Sequence, residues 1–334
     1  MATEKEIIDI FRKNLKGTPN ILLGISSEMG VFNDAGVVEI DGENLLVVTT
    51  DMIGYKTHIP DIATPKQIGK KSITVNISDL AAMGAKPLGV VMSIGFPSDL
   101  ETQYIDKIAK GMNEAAASYS TCVFGGDINK TDDIILAGTA IGKTSKKQLF
   151  TRNDAEEGDI VCVTGNLGDS AASYYAWKNQ LSLSPNIKEK IFPRFLDPKA
   201  RIRESLILRD MQIVSSCGDI SDGLGWELYK TGKASKVGFE IREDLLPIND
   251  EVYEIADKLN LNPLDMILYH GEDFELILTI KSNKWDWLVE NMEKLDLNLT
   301  KIGEVCSKNL GNKIILKSKT KINIENKGYD QFKK

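Results

Sequence analysis

The stretch Asn76-Ile-Ser-Asp-Leu-Ala-Ala-Met-Gly84 constrains the fold more than any other, because it reads as a buried helix that nonetheless carries a carboxylate, Asp79. At about 100° per residue, Ile73, Ile77 and Leu80 share one stripe, and Ser72, Asn76, Asp79 and Met83 share a second about 100° further round. One stripe packs and the neighbouring one presents polar groups. Ala81, Ala82, Gly84 and Ala85 leave so little bulk that another backbone or a ligand can come close. Gly84 is expected to cap the helix, with Pro87 shortly after it. Taken alone, Asp79 is an ordinary solvated or capping residue, and it is the other acids of the chain that change its standing.

Those acids recur beside strand-like segments. Asn44-Leu-Leu-Val-Val48 reads as a buried strand running into Thr49-Thr50-Asp51, which places three oxygen-bearing side chains at a strand's C-terminal end, the usual ligand side of α/β proteins. Thr121-Cys-Val-Phe124 reads as another strand, followed by Gly125-Gly126-Asp127, whose glycines let a ligand approach the backbone. Asp34 sits in a loop-like region between Gly17 and Gly42 that holds one short strand near Gly36–Ile40. Further on, Gly218-Asp219-Ile-Ser221-Asp222-Gly223 precedes a helix starting at Leu224. There one side chain can cap the helix while a carboxylate faces a cation, the plain N-cap motif being the alternative. Gly271-Glu272-Asp273 leads into a strand, Phe274–Ile280.

Aspartates with hydroxyls and glycines, and almost no His or Cys, suit hard cations such as Mg²⁺ over zinc or iron. Mg²⁺ binds through a few carboxylates plus substrate phosphates, so the implied chemistry is that of nucleotide phosphates. His58 and His270 are the only histidines, which disfavours a histidine nucleophile or base; His58 reads as a surface residue or, functionally, as a polar contact to substrate. Gly138-Thr-Ala-Ile-Gly142-Lys143-Thr144 imitates a phosphate-binding P-loop, but its glycines are separated by three residues instead of four and Gly138 lies within a strand.

A chain of 334 residues at 42% hydrophobic exceeds what one core of about 250–300 residues holds, so two α/β domains are expected, 1–148 and 149–334, parted in the polar stretch 143–158. The net charge of −7, with Lys and Arg scattered, gives no footprint for nucleic acid or an anionic membrane. Cys122, Cys162, Cys217 and Cys306 lie far apart without a C-x-x-C pair, and are expected to be reduced and structural. No apolar run approaches the roughly 18 residues of a membrane span, and the first residues lack a signal peptide's hydrophobic core, so a cytoplasmic enzyme is expected.

In order along the chain stand Thr49-Thr50-Asp51 with His58, Asn76-Ile-Ser-Asp79-Leu-Ala-Ala-Met-Gly-Ala85, Gly125-Gly126-Asp127, Arg152 ahead of Gly158-Asp159, Asp219-Ile-Ser221-Asp222-Gly223, and Gly271-Glu272-Asp273-Phe-Glu-Leu276. This ordered set resembles the thiamine-monophosphate kinases, which share a superfamily with aminoimidazole ribonucleotide synthetase, selenophosphate synthetase and a hydrogenase maturation dehydratase. The resemblance implies the two-domain aminoimidazole ribonucleotide synthetase-like fold. It also implies a homodimer in which paired N-terminal domains share a barrel-like sheet, and transfer of the γ-phosphoryl group of ATP to thiamine monophosphate, giving thiamine diphosphate. Carried over by motif, Asp34, Thr49, Thr50, Asp51, Asp79, Asp127, Asp219 and Asp222 hold Mg²⁺, with Asp51, Asp79 and Asp127 central to catalysis. Gly126, Asp127, Arg152 and Ser221 contact ATP, and His58, Glu272 and Phe332 contact thiamine monophosphate.

The family pattern Gly-Asp-Asp-Ala is replaced here by Phe32-Asn33-Asp34-Ala35, and Ser26-Ser27-Glu28-Met29-Gly30 before it also departs from the pattern. Asp34 aligns with the second, metal-binding acid. The departure leaves two alternatives: a paralogous ATP-dependent enzyme with another phosphate or carboxylate substrate, and a nucleotide-binding protein without turnover.

Overall fold

A computed structural model describes residues 4–15, 17, 20–24 and 32–329. The chain divides into two compact units: an N-terminal one of Ile8–Leu149 and Leu196–Leu206, and a C-terminal one of Met1–Ile7, Phe150–Phe195 and Ile207–Lys334. The return of Leu196–Leu206 to the first unit has no counterpart in a division at residue 148.

Helix α1 (Glu4–Asn14) opens the chain. Among the described residues, the N-terminal unit then builds a six-stranded sheet from β1 (Ile21–Leu23), β2 (Gly36–Glu39), β3 (Asn44–Gly54), β4 (Lys86–Phe96), β5 (Val123–Lys130) and β6 (Ile135–Ser145), in the order β1-β2-β3-β6-β4-β5. Only β4 and β5 pair in parallel. Helices α2 (Tyr55–His58), α3 (Pro65–Ala82) and α4 (Thr102–Ser118) complete the unit. Along β3, Leu45, Val47, Thr49 and Ile53 are buried while Thr50 and Met52 are exposed, the alternation of a sheet with one covered face.

Helix α3 is the piece of sequence that this sheet has to bury. Thr64 and Gln67 form a reciprocal capping box and Pro65 occupies the first turn, so the helix starts eleven residues ahead of Asn76. At the other end Gly84 takes φ +63°, the Gly84 N–H donates to the Ala81 carbonyl (3.1 Å) and the Ala85 N–H to that of Leu80 (2.9 Å). That is a Schellman ending, as expected of Gly84. The small residues after Asp79 serve the protein's own packing: Ala81, Ala82 and Ala85 are fully buried, and the Ser205 hydroxyl donates to the Ala81 carbonyl at 2.6 Å.

Helix α4 crosses α3 at two reciprocal glycines. A Cβ on Gly69 would lie 2.0 Å from the Ile108 carbonyl oxygen, and one on Gly111 2.0 Å from that of Lys66. The P-loop imitation is explained in the same way. Gly138 and Gly142 lie inside β6, where added Cβ atoms would meet Asn76 at 2.4 Å and Leu80 and Ala85 at 3.0 Å. These glycines make room for α3.

After β6 come β7 (Ile160–Thr164), α5 (Asp169–Lys178), α6 (Pro185–Leu196), α7 (Ile202–Met211), β8 (Val214–Asp219), α8 (Leu224–Ser235) and β9 (Val237–Arg242), all in the C-terminal unit except Leu196 and the first half of α7. Then come α9 (Asp250–Leu259), α10 (Pro263–Tyr269), β10 (Leu276–Ile280), α11 (Ser282–Leu295), β11 (Leu299–Ser307), β12 (Asn312–Ile315) and β13 (Lys321–Asn323). The sheet order is β13-β12-β9-β11-β7-β10-β8, antiparallel except for β9 with β12. Strands β7 and β10 are buried at every position, so they read as continuous apolar runs instead of alternating ones. Helix α6 carries Pro193 inside it, a residue that normally argues against a helix. No described helix is long and apolar enough to cross a membrane.

The glycine crossing gives a direct test. Gly111→Ala is expected to destabilise the protein by about 2–3 kcal/mol, the cost of forcing packed backbones apart. An unchanged urea midpoint for this variant would show that α3 and α4 do not approach so closely.

Candidate active site

Strand β3 is longer than its neighbour. Pairing with β2 ends at Val48, opposite Gly36, whereas pairing with β6 runs on to Gly54. Thr49-Thr50-Asp51 therefore lie within β3, not at its end as expected, and the sequence missed this because the polar triplet looks like a terminus. What ends there is the adjacent strand, so a lateral step opens in the sheet. Asn76 fills it: its side-chain carbonyl accepts the Asp51 N–H at 2.9 Å and its amide donates to the Ser72 carbonyl at 3.0 Å.

Around this step the structure brings Asp34, Thr49 and Asp79 together. The Thr49 hydroxyl lies 2.5 Å from Asp79 Oδ2 and 3.3 Å from the Asp34 carbonyl oxygen, and carboxylate oxygens of Asp34 and Asp79 lie within 4.8 Å of each other. Asp34 thus takes its place in the cluster although Asn33 precedes it. Asp51 shares the face of Thr49. Thr50 turns to the opposite face, where its hydroxyl donates to the Gly138 carbonyl at 2.8 Å, so its side chain does not join the group.

Asp127 is set apart. Asp51, Gly138, Met92 and Gly126 face one another in register across β3, β6, β4 and β5. That puts the Gly126–Asp127 segment three strands, about 14 Å, from Asp51. The expected strand end before Gly125 is also displaced, since β5 continues to Lys130; a Cβ on Gly126 would lie 2.0 Å from the Met92 carbonyl oxygen, which accounts for that glycine without a ligand. His58 closes α2. Its carbonyl accepts from the buried Lys71 at 3.1 Å, and its Nδ1 accepts the Gly54 N–H at 3.2 Å, which places the proton of the neutral ring on Nε2.

In the C-terminal unit, two motifs fifty residues apart in sequence are laced together. The Glu272 N–H donates to the Ser221 carbonyl (2.8 Å), the Phe274 N–H to that of Ile220 (3.0 Å), and the Ile220 N–H to that of Glu275 (2.8 Å). Asp219 ends β8 and Gly223, at φ +101°, is the N-cap of α8 with no side-chain cap bond. The plain N-cap alternative for Ser221 and Asp222 is therefore not what the structure adopts. Glu272 and Phe274 both hold left-handed backbone, φ +68° and +50°, at a cost of about 1–3 kcal/mol each. The tail reaches the same place, with the Tyr329 N–H donating to the Asp222 carbonyl at 3.1 Å. Burial, then the nearby Tyr174 and Glu272, push the Tyr329 hydroxyl up. Phe332 lies outside the described residues, as does Ser26–Gly30.

Arg152, expected to contact ATP, is 1% exposed, and its Nε donates to the equally buried Glu227 at 3.0 Å. Its guanidinium packs on Gly218, where a Cβ would sit 2.6 Å away, one residue before Asp219.

Residues 32–144 match the family model described as AIR synthase related protein, N-terminal domain, and residues 156–314 that described as AIR synthase related protein, C-terminal domain. The thiamine-monophosphate kinase of Pyrococcus horikoshii is 39% identical, covering 82% of this chain and 82% of its own, and that of Pyrococcus abyssi is 36% identical, covering 96% and 92%. The chain belongs to the thiamine-monophosphate kinase family. The solved structure of AaThiL complexed with AMPPCP and TMP shares the family fold with this chain at a TM-score of 0.82 and 28% identity, covering 99% of this chain and 97% of its own.

Within that family fold, sequence reasoning had not given a role to three residues: Asn76, Glu227 and Asp273. Asn76 had a signal, since it lies one turn before Asp79 on the same polar stripe. Glu227 had none, because a glutamate in the first turn of a helix is ordinary. Asp273 belongs to the Gly271-Glu272-Asp273 motif, where nothing local sets it apart from Glu272. Asn76→Ala removes the acceptor of the Asp51 N–H inside the protein and is expected to cost about 1–3 kcal/mol. Denaturant unfolding of the variant measures that loss, and a loss below about 0.5 kcal/mol would mean that another group takes over the Asp51 N–H.

Proposed function

We propose that this protein transfers the γ-phosphoryl group of ATP to thiamine monophosphate, giving thiamine diphosphate and ADP. The carrying observation is the likeness to thiamine-monophosphate kinases at 36–39% identity over most of the chain. The gathering of Asp34, Thr49 and Asp79 at the sheet step supports it. An oxygen of the substrate monophosphate attacks the γ-phosphorus while the bond to the β,γ-bridging oxygen breaks. That monophosphate is already largely ionised near neutral pH, so no strong general base is needed. Positioning and charge neutralisation carry the reaction.

The donor set fits Mg²⁺. It is all oxygen, two carboxylates lie within reach of one cation, and His58 is engaged with Gly54 and Thr57. Asp34, Thr49, Asp51 and Asp79 in the N-terminal unit, and Asp219 and Asp222 in the C-terminal unit, are the proposed holders; Asp127 completes the set carried over from the family, to which Thr50, its hydroxyl on the Gly138 carbonyl, could add only a main-chain oxygen. When bound, Mg²⁺ neutralises phosphate charge. Gly126, Asp127 and Ser221 are proposed to contact ATP, with Arg152 acting from behind β8. His58, Glu272 and Phe332 are proposed to contact thiamine monophosphate. Consumption of ATP and cysteines without disulfides support a cytoplasmic setting.

The proposed homodimer is supported by β5, an edge strand exposed at every position, with Phe124 57% and Ile128 71% exposed. Such an edge invites pairing with a second copy. Sedimentation is expected to give twice the 36.9 kDa chain mass, and Ile128→Asp to shift it toward the monomer. A wild-type monomer at assay concentration would overturn the dimer.

The activity test is direct. Purified protein with ATP, Mg²⁺ and thiamine monophosphate should form thiamine diphosphate. Asp79→Asn should lower turnover by about 10²–10³-fold with an unchanged melting temperature. Tight ATP binding without product would sink the kinase reading, and near-normal turnover of Asp79→Asn at saturating Mg²⁺ would sink the metal assignment.

A further inference from the structure

In the strap Glu272–Glu275 every residue but Glu272 is buried. Asp273 is almost fully buried, and both its carboxylate oxygens accept the Gly168 N–H, at 3.1 and 3.2 Å. Gly168 is the N-cap of α5, stands at φ +86° and offers no side chain to cap that helix. Asp273 therefore caps α5 from 105 residues away, supplying the side-chain acceptor that Gly168 lacks. Glu275 also points inward, accepting from the Thr164 hydroxyl at 2.6 Å. Between these anchors and the Ser221 and Ile220 carbonyls, the backbone is forced through left-handed conformations at Glu272 and Phe274. Non-glycine residues persist there only where their surroundings leave no choice. Glu272, by contrast, is only half-buried.

We propose that Asp273 is a positioning residue for substrate recognition: by anchoring to the N-terminus of α5 it holds Glu272 in the left-handed conformation that turns its carboxylate out of the interior, toward thiamine monophosphate. Asp273 touches no substrate and acts through Glu272. The proposal rests on the kinase reading above.

A double-mutant cycle tests it. Glu272→Ala is expected to raise the KM for thiamine monophosphate about tenfold, the equivalent of losing one charge-assisted contact. Asp273→Ala should raise it by a similar factor, with the KM for ATP changed less than about threefold. The double variant should be no worse than either single one, because the two residues share one effect. Asp273→Asn keeps one oxygen for the Gly168 N–H and should recover most of the loss. If Asp273→Ala fails to fold, the same cycle run with Asp273→Asn decides, the expected sign being a small KM rise that vanishes in the Glu272→Ala background. Additive effects, an equal rise in both KM values, or an unchanged KM in Asp273→Ala would each overturn the positioning role. Absence of thiamine diphosphate from the wild-type reaction would instead count against the kinase reading, and binding of thiamine monophosphate measured by calorimetry then carries the cycle in place of KM.

Discussion

Past Val48, β3 continues with no strand on one side, and Asn76 supplies the hydrogen-bond acceptor that the missing strand does not. Much of the N-terminal unit follows from that one bond. For Asn76 to reach β3, α3 must lie close on the sheet, and for α3 to lie close, β6 must present Gly138 and Gly142. For α4 to cover α3 in turn, Gly69 and Gly111 must let the backbones meet. One turn beyond Asn76, Asp79 is delivered beside Thr49 and Asp34 at the margin of the same step. Acids are costly to bury without partners, and here a shortened strand provides an edge where a carboxylate can be both held and accessible.

The C-terminal unit solves a related problem without a helix. Its acids stand at the end of β8 and on the turn after it, where the Ile220, Ser221 and Asp222 carbonyls are taken up by the strap around Glu272 and by the tail at Tyr329. Beneath them the buried pair of Arg152 and Glu227 fills the space behind Gly218. A buried ion pair is weak evidence for stability, but it fixes where its partners sit. Here it sits directly behind the strand that carries Asp219.

Several features were legible in the residues. The capping glycine at 84, the polar stripe holding Asp79, the strand 44–48, and the irrelevance of the P-loop imitation all follow from local chemistry, since each depends on neighbours within a turn or two. Strand ends were not legible. Thr49-Thr50-Asp51 and Gly126-Asp127 look like termini because they are polar or flexible, yet ladders with β6 and β4 carry the strands through them. Such continuation depends on partners ninety or thirty residues away. The capping of α5 by Asp273 and the pairing of Arg152 with Glu227 escaped for the same reason: neither has a periodicity, only a distant partner.

The return of Leu196–Leu206 to the N-terminal unit sets an order of events during synthesis. The Ala200 N–H donates to the Tyr119 hydroxyl at 3.0 Å, Ser205 bonds the end of α3, and Lys70 pairs with Asp197 at 3.0 Å. A nascent chain that has emerged only to Leu149 holds all six strands of the first sheet but none of these closures. At about 5–20 residues per second, several seconds pass before the ribosome supplies them. During that interval the end of the helix bearing Asp79 lacks its last fastening, which arrives only after Phe150–Phe195 of the second unit has been read.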